Sequence, residues 1–129
     1  MSAAYVDASA LTKLAIDEPE SVAMRRWYVE HERIVSSRIG LIETRRAVGR
    51  GPHDPVHLET IMASTVSIEL DEAIARQAAS VGPPSLRTLD TIHLATALAL
   101  GTEVDAFVTY DDRLAAAARA VGLPVVRPA

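Results

Sequence analysis

The apolar positions of this chain change period repeatedly, and the changes predict alternating strands and helices. Ala3-Ala4-Tyr5-Val6 is a short apolar run with β-favouring residues, ended by a charge, so it predicts a buried strand that delivers Asp7 to its C-terminal end. Leu11, Leu14 and Ala15 then recur at helical spacing, with Ser9 as the candidate cap. Val22, Met24, Trp27 and Tyr28 mark a second helix reaching about His31, with Pro19 early in it, where a missing N–H costs little. Ile34-Val35 predicts a second strand ending at Ser36-Ser37. A third helix carries Ile39, Ile42, Glu43 and Ala47 and stops near Gly49–Pro52. The stretch Arg50-Gly51-Pro52-His53-Asp54-Pro55 is the clearest loop.

Further on, the pattern predicts a short helix over Val56–Met62, a strand over Val66–Leu70, and a helix from an Asp71 cap through Val81. Gly82-Pro83-Pro84 breaks that helix. Leu89–Leu100 reads as a helix closed by Gly101, and Ala106-Phe107-Val108 as a strand. Asp111–Val121 is a helix with Gly122 beyond its end, and Val125-Val126 is a final strand. Strands that alternate with helices require a mostly parallel sheet covered on both faces. The expectation is one three-layer α/β/α domain spanning residues 1–129, with no internal repeat or low-complexity tract.

Composition narrows the chemistry. A length of 129 residues suffices to bury a core without staples. The absence of cysteine excludes disulfides and thiolate metal sites, leaving oxygen or imidazole ligands. An apolar fraction of 49% with 23% charged residues describes a globular protein and not a disordered tail. Apolar stretches such as Leu94–Leu100 fall far short of the roughly 20 residues that span a bilayer. The N-terminus shows no basic n-region, so a cytoplasmic protein without a membrane partner is expected. The net charge of −4 argues against a broadly basic nucleic-acid binder. Lys13 is the only lysine and every other cation is arginine, the side chain suited to bidentate contacts with phosphate.

The placement of the acids matters more than their number. In open α/β sheets, ligands bind beyond the carboxyl ends of the strands. Asp7 and Asp111 fall there, while Glu43 and Asp90 sit on helices among apolar neighbours. Each has a plain structural explanation: Asp7 or Asp90 as a helix cap, Glu43 paired with Arg46, Asp111 and Asp112 favoured by a helix dipole. Carboxylates near buried faces are nevertheless expensive, and four together repel by about 1–4 kcal/mol per close pair. A divalent cation relieves that repulsion, and all-oxygen ligation favours Mg²⁺ or Mn²⁺. His93, three residues after Asp90, reads as a packed core histidine more than as a ligand, and His53 and His57 as solvated. No G-x-S-x-G elbow, G-x-G-x-x-G turn or P-loop occurs.

Four blocks carry a resemblance: Tyr5-Val6-Asp7-Ala8-Ser9-Ala10-Leu11, Ile42-Glu43-Thr44-Arg45-Arg46-Ala47, Leu86-Arg87-Thr88-Leu89-Asp90-Thr91-Ile92-His93-Leu94-Ala95-Thr96-Ala97, and Phe107-Val108-Thr109-Tyr110-Asp111-Asp112-Arg113-Leu114. In this order, across nearly the whole chain, they resemble the PIN-domain nucleases, most closely the VapC toxins of type II toxin–antitoxin pairs. The resemblance implies a PIN fold and a Mg²⁺- or Mn²⁺-dependent endoribonuclease with Asp7, Glu43, Asp90 and Asp111 as its acidic cluster. It implies supporting roles for Ser9, Thr109 and Asp112. It also implies an RNA substrate, a small cognate antitoxin, and a homodimer that forms a heterotetramer or larger assembly with it.

On that reading Asp7 and Asp90 bind the principal metal, and Glu43 and Asp111 complete it directly or through water. The ion would lower the pKa of a bound water and stabilise the charged transition state, with Glu43 the candidate proton acceptor. Arg45, Arg46, Arg87 and Arg113 are candidates for holding RNA phosphates. The rivals are a PIN-like binding module without catalysis and, more weakly, a metal-dependent phosphatase, whose motif needs an acid where Ser9 stands. Setting the four cluster acids aside leaves acidic and basic residues equal in number, so the net charge weighs little against RNA.

Overall fold

Every residue of β1 (Ala3–Val6) is buried, and its side chains divide between two cores. Ala4 and Val6 join Leu11, Leu14, Met24 and Leu58 on one side. Ala3 and Tyr5 join Leu94, Phe107 and Leu114 on the other. A period-two split of this kind is what a strand covered by helices on both faces requires. Each large apolar side chain buried there contributes about 1.5–3 kcal/mol relative to exposure.

The computed structural model describes residues 2–129. After β1 come α1 (Ala8–Ala15), α2 (Ser21–Val29), β2 (Ile34–Ser37), α3 (Arg38–Val48), α4 (Pro55–Ala63), β3 (Thr65–Ile68) and α5 (Glu72–Ala78). Then follow α6 (Thr88–Leu100), β4 (Val104–Val108), α7 (Asp112–Ala120) and β5 (Val125–Val126). The strands form a five-stranded, entirely parallel sheet in the order β3-β2-β1-β4-β5. The chain moves outward from β1 to β3 and then crosses to β4 on the far side of β1. That reversal opens a crevice beyond the carboxyl ends of β1 and β4.

Local chemistry sets most boundaries. Asp7, Ser37, Asp54, Asp71 and Asp111 each cap a helix by accepting from a backbone N–H of its first turn. Gly101, at φ 61°, closes α6, a conformation that favours glycine.

Several sequence expectations shift. Asp7, and not Ser9, caps α1, because its carboxylate reaches the Ala10 N–H while Ser9 lies inside the first turn. Pro19 stands in the turn ahead of α2, whose first residue is Ser21. The third strand is Thr65–Ile68 and not Val66–Leu70: its partner β2 ends at Ser37, opposite Ile68, so no ladder continues to Leu70. Helix α5 stops at Ala78, short of Val81.

Candidate active site

The crevice is organised around Asp7, which is only 4% exposed. Its backbone N–H donates to the Val108 carbonyl at 3.1 Å, so the end of β1 is tied to the end of β4. Its Oδ1 accepts from Ser9 Oγ at 2.7 Å and from the Ala10 N–H at 3.0 Å, and its Oδ2 accepts from Thr109 Oγ1 at 2.6 Å. The two hydroxyls also serve the neighbouring loop. Ser9 Oγ accepts from the Tyr110 N–H at 2.9 Å, and Thr109 Oγ1 accepts from the Asp111 N–H at 3.0 Å. Asp111 caps α7 through Oδ1, which accepts from the Leu114 N–H at 2.9 Å. These small hydroxyl residues hold two carboxylate-bearing segments in one place.

Helices supply the other two acids. Glu43 lies on α3, and its Oε1 is 2.8 Å from His93 Nε2 on α6. His93, 2% exposed, places its Nδ1 2.7 Å from the Tyr5 hydroxyl. It is thus a buried histidine, as expected, with both ring nitrogens engaged. Its link to Glu43 replaces the Glu43–Arg46 pair that the sequence allowed. Asp90 stands in the first turn of α6 with no hydrogen-bond donor among the described residues on its carboxylate.

Burial pushes the Asp7 carboxyl above the usual carboxylate range, outweighing the relief from His93, Thr109, Ser9 and the Ala10 N–H. Asp90 is also pushed up, first by burial, then by the charge of Asp111, with Asp7 and Glu43 adding to it and His93 opposing. Asp111, Asp7 and Glu43 therefore each act on Asp90 through space. Among the described residues no three Asp, Glu or His side chains form a ready-made coordination shell, so any ion would gather them by side-chain rotation.

A cleft of 460 Å³ adjoins the cluster and is lined by Ser9, Thr12, Lys13, Glu43, Arg46, Arg50, Leu89 and Tyr110, among others. Lys13, 8% exposed, lies 2.9 Å from Glu20 and 3.5 Å from Glu18, over the Tyr110 ring. A larger groove of 580 Å³ between α5 and α6 holds no charged side chain.

The arginine candidates separate. Arg46 lines the cleft and forms no ion pair among the described residues, nor does Arg50, which the sequence reading passed over. Arg45, the neighbour of Arg46, is engaged by Glu59 on α4. Arg87 sits exposed at the start of α6, and Arg113 borders a separate groove beside Pro83 and Leu86. Asp112 turns to Arg127, 2.7 Å away, and not to the cluster. His57, expected in solvent, contacts the Leu14 carbonyl through Nε2 at 2.8 Å, and His53 contacts the Gly51 carbonyl.

The family model for the PIN domain matches residues 4–120, and the chain belongs to that family. It is 39% identical over 129 residues to Ribonuclease VapC46 of Mycobacterium tuberculosis (strain ATCC 25618 / H37Rv), with 99% of each chain covered. It is 38% identical over 130 residues to Ribonuclease VapC47 of Mycobacterium tuberculosis (strain CDC 1551 / Oshkosh), with 96% of each covered. Within the family it is therefore a VapC-like ribonuclease. The fold is shared with Mycobacterium tuberculosis VapC20, a sarcin–ricin loop cleaving toxin, at TM-score 0.75 and 17% identity over 98% of this chain and 100% of that one. It is shared also with a structure of FitAB bound to an IR36 DNA fragment, at TM-score 0.68 and 17% identity over 96% and 94%. No helix among the described residues is long and apolar enough to cross a membrane.

Proposed function

We propose that this protein is the toxin of a type II toxin–antitoxin pair, an endoribonuclease that hydrolyses RNA phosphodiester bonds at Asp7, Glu43, Asp90 and Asp111. On this reading it works in the cytoplasm, depends on Mg²⁺ or Mn²⁺, and is inhibited by a small cognate antitoxin. It forms a homodimer and a heterotetramer or larger assembly with that partner. The observation that carries the reading is the state of Asp90: half-buried, without a hydrogen-bond donor, and raised by the charges of three other carboxylates.

The donor set suits a hard divalent cation. It is all oxygen, it holds an uncompensated negative charge, and the chain has no thiolate to attract a softer ion. Asp7, Asp90, Glu43 and Asp111 would hold it. When bound, such an ion supplies counter-charge for the phosphoryl transition state and a water of lowered pKa.

The rest of the work falls to the chain itself. Ser9, Thr109 and the Ala10 N–H keep Asp7 in one rotamer, so that little is spent on ordering it when substrate arrives. Glu43 has Oε1 on His93 and retains its other oxygen to accept a proton from the attacking water. Arg46 and Arg50, unpaired along the cleft, hold RNA phosphates.

The test is cleavage of a defined RNA by protein freed from its antitoxin, with EDTA and with added Mg²⁺, product 5′ ends being sequenced. Cleavage that stops in EDTA and in both Asp7→Asn and Asp90→Asn is expected. A protein that binds RNA yet cuts none under any metal condition is the binding module instead.

A further inference from the structure

Glu43 arrives on a helix, and a flexible carboxylate there needs something to aim it. We propose that Tyr5 and His93 are positioning residues: Tyr5 holds the His93 ring at Nδ1, and His93 fixes Glu43 through Oε1, leaving Oε2 free for the cleft. This rests on the reading of Glu43 as a member of the active site.

Both ring nitrogens of His93 are held. The Ser37 N–H donates to the Tyr5 oxygen at 3.2 Å, and His93 Nδ1 lies 2.7 Å from the same oxygen. The nearby hydroxyls donate elsewhere, Ser36 to the Val6 carbonyl at 2.6 Å and Thr96 to the Ile92 carbonyl at 2.6 Å. Nε2 faces a carboxylate oxygen, so it carries a proton and donates it to Glu43 Oε1 at 2.8 Å. The neutral Nδ1–H tautomer sets a bare nitrogen lone pair against a carboxylate.

Packing holds the relay rigid. The Tyr5 ring stacks on Phe107 with centroids 5.2 Å apart and meets His93 edge-on at 5.8 Å. Gly40, inside α3 and one turn before Glu43, leaves the imidazole its space. A Cβ there would fall 2.8 Å from His93 Cε1 and 2.7 Å from Ser36 Oγ. A glycine that weakens its helix is thereby explained by the histidine it admits. Partners that orient a ligating carboxylate or histidine in this way affect metal affinity and rate by about 10- to 100-fold.

The experiment uses the full-length, ¹⁵N-labelled protein. Long-range ¹H–¹⁵N spectra of the His93 ring near neutral pH are expected to show a proton on Nε2. Mn²⁺ binding by calorimetry and RNA cleavage are then compared for wild type, Tyr5→Phe, His93→Leu and His93→Gln. Tyr5→Phe keeps the stacked ring and removes only the hydroxyl. It is expected to weaken Mn²⁺ binding and lower kcat by about tenfold, with KM for RNA nearly unchanged. His93→Leu loses more, and His93→Gln, whose amide N–H substitutes for Nε2–H, recovers most of that loss. A wild-type ring with no proton on Nε2 overturns the proposal. So does wild-type Mn²⁺ affinity in both Tyr5→Phe and His93→Leu. If His93→Leu does not fold, the ring spectrum and Tyr5→Phe decide. If wild type binds Mn²⁺ and cuts no RNA, the fault lies with the nuclease reading, and the spectrum and affinities still judge the relay.

Discussion

The outer surface and the crevice of this protein both hold carboxylates, and the two sets are perturbed in opposite directions. Glu59 and Glu69 lie in the open against Arg45 and Arg38, which hold their carboxyls below the usual range. Asp7 and Asp90 are pushed above it, both chiefly by burial and Asp90 also by its neighbours' charge. The surface acids already have their counter-charge, and exposed pairs of that kind contribute little to stability. The crevice acids lack it. Their charge is an unfavourable feature of the free protein that an added cation relieves, which is why a stability measurement can report on the site.

The widest separation between the two regions is expected from removing one charge in each. Asp90→Asn should lower metal-dependent cleavage on the order of 10²–10³-fold, the scale of losing one preorganised electrostatic group. The same variant should melt higher than wild type in EDTA, because it removes a half-buried charge repelled by Asp111, Asp7 and Glu43. Glu59→Gln should leave cleavage unchanged. Calorimetric scans beside cleavage assays decide the matter, and an Asp90→Asn protein that melts lower in EDTA would break the comparison.

Next in size is the response to pH and metal. For Asp7 and Asp90 the folded pKa lies above the unfolded one, so the folded state binds more protons. Their contribution to stability is full below the unfolded pKa, about 4, and is lost as pH rises through the folded value. Glu59 and Glu69 are lowered on folding, so their contribution exists above the ordinary carboxylate range and is lost as pH falls. In EDTA the crevice should therefore pull the melting temperature down as pH rises from about 4 toward neutrality, against a weak opposite trend from the surface pairs. Mg²⁺ at a hundredfold excess over its Kd adds about 2.7 kcal/mol. The gain should be larger near neutral pH, where the carboxylates are ionised, than near pH 4. Equal gains at both would place Mg²⁺ elsewhere.

Much of this site was legible in the sequence because its anchors are local. A strand that ends in a charge identifies Asp7, the same logic identifies Asp111, and apolar neighbours single out Glu43 and Asp90. What escaped depends on packing between distant segments. Tyr5 and His93 are 88 positions apart, and nothing in either segment reveals that one hydroxyl faces one ring nitrogen. Gly40 gives a faint signal as a glycine inside a helix, but the histidine that requires it lies on α6. Whether Arg45 or Arg46 is free depends on where α4 places Glu59.

The finest contrast lies between consecutive residues of α3. Arg45 commits its guanidinium to Glu59, with Nη2 to Oε2 at 3.1 Å as one of two hydrogen bonds. Arg46 points along the cleft without a partner, and Arg50 stands with it. A phosphate contact contributes to RNA affinity by releasing condensed counterions, so each free arginine carries part of the salt dependence. Arg46→Ala and Arg50→Ala should each raise KM for RNA severalfold, leave kcat near wild type, and reduce the slope of log KM against log salt by roughly one. Arg45→Ala should change KM by less than about twofold, because its charge is already neutralised in the free protein. KM measured across a salt series for the three variants distinguishes them. A slope that falls as much for Arg45→Ala as for Arg46→Ala would mean that RNA displaces Glu59 and crosses the outer face of α3.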